Sequence, residues 1–148
     1  QYDNALQSYQ KAIEINPQFA EAYYNLGVTM RQLRKLDVAV KNFKKAIEIN
    51  PNYAEAYNNL GSCFTLLGQM NLAIDYYQKA LDEYPDYAEA HNSLGNTLNI
   101  LGKVKAGIKC FEKALEINPN FAEAYNSLGN AYKKIKQREK SLVFFKKA

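Results

Sequence analysis

Residues 50–61 read NPNYAEAYNNLG, and close variants return as NPQFAEAYYNLG over 16–27, YPDYAEAHNSLG over 84–95 and NPNFAEAYNSLG over 118–129. Pro17, Pro51, Pro85 and Pro119 fall at i, i+34, i+68 and i+102, and Gly27, Gly61, Gly95 and Gly129 keep the same step. A fixed period of this length marks a stacked repeat, in which no unit buries its apolar face alone and each leans on its neighbours.

Each period holds two helical patterns. In the first, Tyr57, Leu60, Gly61 and Phe64 fall at i, i+3, i+4 and i+7, one stripe of an amphipathic helix. This helix is expected to open at the proline with an acidic first turn. In the second, Ala73, Ile74, Tyr77, Ala80 and Leu81 form an apolar stripe whose alanines allow close approach. Pro85 ends it, because proline lacks an amide hydrogen and drives Tyr84 out of the α region. Glycine inside a helix costs roughly 1 kcal/mol against alanine. Placing it at the same point of every period implies that a partner helix crosses there with no room for a side chain.

Composition excludes other classes. A hydrophobic share of 47% and 12 tyrosines supply a core that a disordered chain would lack. No apolar run approaches the length that spans a bilayer. The opening QYDNALQSYQ carries no basic-then-apolar leader and already lies inside a repeat, so the native N-terminus is expected upstream.

Tyr57, Leu60, Gly61, Phe64, Ala73, Tyr77, Ala80 and Pro85 together match the tetratricopeptide repeat pattern, and the chain resembles an array of such repeats over essentially its whole length. The resemblance is to the repeat arm of O-linked N-acetylglucosamine transferases and to bacterial and archaeal repeat proteins. It implies an all-α, right-handed α-solenoid of antiparallel helix pairs, a superhelix of about nine helices. The expected division is a lone second helix in 1–17, repeats at 20–51, 54–85 and 88–119, and a truncated repeat at 122–148. His91 stands in an aromatic slot, Gly107 and Ser141 in the slot of Ala73, and Glu83-Tyr84 replaces the Ile-Asn found before the other prolines. These departures are expected to alter local packing only.

Catalytic and metal chemistry find no constellation. His91 is the sole histidine and is expected to pack structurally. Cys63 and Cys110 lie on helices of different kinds with no CxxC spacing, which reads as two buried thiols in a reducing compartment such as the cytoplasm. GNTLNILGK at 95–103 has the wrong glycine spacing for a phosphate loop, and Asp82, Glu83 and Asp86 lack calcium-loop spacing. The reading is of a non-enzymatic chain with no cofactor and no metal.

The first helices carry a second stripe, away from the core. Across the repeats one slot reads Asn25, Asn59, Ser93 and Ser127, the preceding slot Tyr24, Asn58, Asn92 and Asn126, and a third Val28, Ser62, Asn96 and Asn130. Stacked, this stripe would line a concave groove. A carboxamide donates and accepts at once, so a spaced row can pair with a peptide backbone whatever its sequence. The candidate groove is therefore Tyr24, Asn25, Asn58, Asn59, Ser62, Asn92, Ser93, Asn96, Asn126, Ser127 and Asn130, and the expected partner is a protein or peptide. Asn25 and Asn59 resemble the asparagine ladder of the transferase arm. The same asparagines could instead brace neighbouring repeats. The family's Lys/Arg clamp for acidic peptide termini is poorly matched, because Glu21, Glu55, Glu89 and Glu123 occupy slots where it needs lysine.

The net charge of +4 is a property of one end: residues 133–148 hold seven lysines and arginines against Glu139 alone. A nucleic-acid stripe would follow the groove, so no specific nucleic-acid partner and no membrane insertion are expected. Leu142, Val143 and Phe144 present apolar side chains where a polar cap would be usual, which predicts a homodimer through the C-terminal helix. The functional expectation is a peptide-binding scaffold. A substrate-recruiting arm of a larger transferase and a self-assembling scaffold are the rival readings.

Overall fold

The computed structural model describes the backbone of residues 2–147 and the side chains of residues 4–136. The described residues form eight helices: α1 (Tyr2–Ile15), α2 (Ala20–Gln32), α3 (Leu36–Ile49), α4 (Ala54–Leu66), α5 (Met70–Glu83), α6 (Ala88–Ile100), α7 (Val104–Ile117) and α8 (Ala122–Lys147). Among the described residues there is no strand. The helices pair in sequence, the helix-pair solenoid architecture that the repeat implies. The chain forms two compact units, residues 1–85 and 86–148.

In the first unit α2 packs on α3 and α4 on α5, with α1 against α2 and α3 against α4. The crossing points are set by glycine. A β-carbon placed on Gly27 would lie 2.7 Å from the Phe43 ring, and one on Gly61 would lie 2.8 Å from Tyr77. Real side chains do not approach that closely, so each ring occupies the space that the missing methyl leaves. Phe43, Leu60, Ala39, Ala46, Ala73 and Ala80 are fully buried around these crossings. Burying a ring such as Phe43 or a side chain such as Leu60 stabilises by about 1.5–3 kcal/mol, and each alanine methyl contributes about 0.8 kcal/mol or less.

The second unit repeats the device once. Gly95 lies against Phe111, and Gly107, standing where the first unit has Ala39 and Ala73, lets the two backbones meet: its β-carbon would lie 2.8 Å from the Gly95 carbonyl oxygen. Phe111 sits in a cluster with Val104, Ile108 and Ala131, flanked by Leu128 and Ile135 of α8. A second cluster joins Ala88, Ala114 and Ala124 with Leu115, Ile117 and Phe121.

The proline turns differ from the expectation that the first helix opens at the proline. The helices begin three residues later, at Ala20, Ala54, Ala88 and Ala122. In three of the four turns an asparagine before the proline accepts, through its side-chain oxygen, the amide two residues on: Gln18 to Asn16 at 3.0 Å, Asn52 to Asn50 at 3.2 Å and Asn120 to Asn118 at 3.1 Å. That closure holds Asn-Pro-X as a turn and delays the helix. As expected, the second helix stops before proline, with Tyr84 at φ −137° outside the α region.

The turn inside each pair needs a left-handed residue, and Arg34, Gly68 and Gly102 supply it at φ 60°, 76° and 77°. Each turn closes on the same long hydrogen bond, Lys35 N–H to Met30 C=O, Gln69 to Phe64 and Lys103 to Leu98. The next residue in this register is Lys136, and there α8 runs on unbroken for 26 residues. The fourth pair is thus one continuous helix, which is why eight helices stand where about nine were expected.

Candidate functional site: the polar face of the first helices

Helical periodicity puts the second stripe of α2, α4, α6 and the first half of α8 on the side away from each helix's own partner. In the first unit this face is stitched between neighbouring first helices. Asn59 Nδ2 donates to the Tyr24 hydroxyl at 3.1 Å and to the Glu55 carbonyl at 2.9 Å, and Arg31 Nη1 donates to Ser62 Oγ at 3.0 Å. Tyr24 also rests on Tyr53, ring centroids 4.9 Å apart. Burial, and then the negative charge of Glu55, raise the Tyr24 hydroxyl pKa, while burial with Tyr24, Glu21 and Glu55 pushes Tyr53 up to about 12.

The second unit is stitched at corresponding places. Asn92 Nδ2 donates to Glu123 Oε1 at 3.1 Å, and Lys134 Nζ donates to Asn99 Oδ1 at 3.4 Å. Between α6 and α8 opens a cleft of about 450 Å³ lined by Asn96, Asn99, Ser127, Asn130, Lys133 and Lys134. Among the described residues no acidic side chain lines it. Neither lysine makes an ion pair among the described residues, where the pairs are Lys45–Glu48 and Lys113–Glu116 on second helices.

The candidate residues thus divide into two roles. Asn59 and Asn92 are 9% and 2% exposed, so they brace adjacent helices instead of lying open in a groove. Tyr24 is half-buried and occupied by Asn59, and Ser62 is half-buried and occupied by Arg31. Asn25, Asn58 and Ser93 are half-buried on the same face. Asn96, Ser127 and Asn130 come together in the cleft, and Asn126 is exposed beside them in sequence. The side chains of Leu142, Val143 and Phe144 lie outside the described residues.

Arg31, Asn99, Lys133 and Lys134 were missed by the sequence reading. The signal was present: Arg31, Thr65, Asn99 and Lys133 share one slot, three residues past that of Val28, Ser62, Asn96 and Asn130. His91 is half-buried on α6. Burial pushes the Cys63 thiol up to about 11 and raises that of Cys110, so both free thiols are poor nucleophiles. Among the described residues no cluster could hold a metal ion, and no helix is long and apolar enough to cross a membrane.

The bracing role carries a prediction. Asn59→Ala should lower unfolding free energy by about 1–2 kcal/mol, because the Tyr24 hydroxyl loses its buried donor. Urea titration measures it, and a change within experimental error would mean that Asn59 is free to serve a ligand.

Family models described as TPR repeat match residues 1–33 and 95–136, and models described as tetratricopeptide repeat match 18–85 and 76–109. Among curated proteins no sequence relative matches. Of solved structures, MamA is 32% identical with a TM-score of 0.81, over 99% of this chain and 85% of that one. YrrB, described as a TPR protein with an unusual peptide-binding site, is 28% identical with a TM-score of 0.73, over 95% and 73%. The first TPR of Spaghetti (RPAP3), solved with an HSP90 peptide, is 24% identical with a TM-score of 0.77 over 80% and 94%, a likeness of fold.

Proposed function

Since this chain belongs to the tetratricopeptide repeat family, we propose that it is a non-catalytic interaction module whose first-helix face binds an extended polypeptide segment, with acidic side chains of that segment entering the cleft between α6 and α8. The observation that carries this reading is the cleft itself. Its lining offers amide and hydroxyl donors and two ammonium groups, with no carboxylate among the described lining residues. Amides can hold a backbone, whereas two adjacent cations discriminate for charge. The peptide-binding description of YrrB supports the general mode. The sequence supports the chemistry too, since Lys134 replaces Leu66 and Ile100, both exposed, in the same slot.

The test is a titration of the chain with two blocked peptides of equal length, one carrying a pair of aspartates and one carrying asparagines in their place, followed by amide resonances. The aspartate peptide should shift Asn96, Asn99, Ser127 and Asn130 and should weaken with added salt. Lys133→Gln combined with Lys134→Gln should weaken it by about tenfold, or ~1.4 kcal/mol. Equal binding of the asparagine peptide, or shifts confined to other faces, would remove the acidic preference.

A further inference from the structure

The three Gly–aromatic crossings share one spacing, i to i+16: Gly27 with Phe43, Gly61 with Tyr77 and Gly95 with Phe111. The sequence continues the series with Gly129 and Phe145. Ser141 and Ala148 likewise take the slots of Ala73 and Ala80. Residues 138–148 therefore carry the side chains that a second helix needs to cover the first half of α8.

Helix α7 covers one side of that first half, through Ala124, Leu128, Ala131 and Ile135, but among the described residues the stripe of Tyr125, Gly129 and Tyr132 is left open. A β-carbon on Gly129 would meet no described atom within 4 Å. Tyr125 is 55% exposed, whereas Tyr57 in its slot is half-buried, and Tyr132 is 51% exposed where Phe64 is 6%. Positions i and i+16 on one straight helix are separated by about 24 Å along the axis. While α8 is continuous, position 145 cannot reach position 129 of the same chain.

We propose that the open stripe of Tyr125, Gly129 and Tyr132 is a socket that receives residues 138–148 of a second copy of this chain, each copy filling the other's socket, with Lys136 as the straightened hinge. The occupant is argued from register: the segment that fits is the one written at i+16 from the socket, and a straight α8 presents it to a neighbour. Exchange of identical elements needs no new complementarity, because the contacts are those of a closed pair. Lys136 is helical where Arg34, Gly68 and Gly102 adopt left-handed backbone in the same register, and glycine there, which carries no left-handed penalty, favours the closed turn. Lys133, Lys134 and Lys136 repel their copies across the two-fold, so salt strengthens the assembly.

The experiment is multi-angle light scattering across a concentration series of the chain in low and high salt, with circular dichroism confirming that each variant is helical. The expected result is a dimer that grows with concentration and salt. Lys136→Gly, which restores a turn residue, should abolish it, and so should Gly129→Leu, which fills the socket. In a chain with Cys63→Ala and Cys110→Ser, the pair Gly129→Cys and Phe145→Cys should oxidise to a disulfide between two chains. A monomer under all conditions, a disulfide within one chain, or a dimer that survives both Lys136→Gly and Gly129→Leu would overturn the proposal.

Discussion

Phe111→Ala is expected to cost about 3–5 kcal/mol, the range for removing a fully buried aromatic ring. The ring has no exposure, fills the space over Gly95, and is held by Val104, Ile108 and Ala131. Its loss leaves a void where α6 and α7 cross, and no neighbour can collapse into it without separating those backbones. Domains of this kind hold only about 5–15 kcal/mol in reserve, so the second unit should lose a large part of its margin. Because repeat arrays need not unfold in one step, hydrogen exchange of the α6 and α7 amides is the sharper measurement. Protection there equal to that of the unsubstituted chain would show that the ring is not what holds the crossing.

Gly95→Val attacks the same crossing from the other side. Its β-carbon would stand 2.6 Å from Phe111 Cε1 and 3.0 Å from the Gly107 carbonyl oxygen, so the branch meets a buried ring and a backbone together. Overpacking of this sort costs about 1–3 kcal/mol, and the blocked backbone places this case near the upper end. Gly129→Val is the internal control. It occupies the same slot with no described atom within 4 Å, and in dilute monomer it should be near neutral. Guanidinium melts of the two variants side by side decide the matter; equal losses would mean that the helix interior itself, and not the crossing, rejects the branch.

Much of this was legible in the repeat. A glycine returning at the same point of every period, inside a helical stripe, has no local reason to exist, since it weakens the helix, and so it announced a close crossing. Tyr84 before Pro85 announced a break for equally local reasons. What local reasoning lacked was the neighbouring helix. Asn59 and Asn92 lie on the stripe away from their own partners, and only the adjacent first helix, with Tyr24 or Glu123, buries them. The start of three first helices was misplaced because Asn16, Asn50 and Asn118 turn their side chains back over the proline. Lys133 and Lys134 were absorbed into the charge of the chain's end, although both face Asn99, one repeat earlier on α6.

The constant i, i+16 spacing between each glycine and its ring also governs time. Every crossing joins residues that lie near one another in the chain, and the side-chain hydrogen bonds named above reach no further than the next repeat. Short separations mean little loop-closure entropy before the first reward, and proteins of this kind fold in about microseconds to milliseconds. Synthesis proceeds at about 5–20 residues per second, so one helix pair emerges roughly every 2–7 s. The glycines of the three crossings therefore meet their rings well before the next proline has been made.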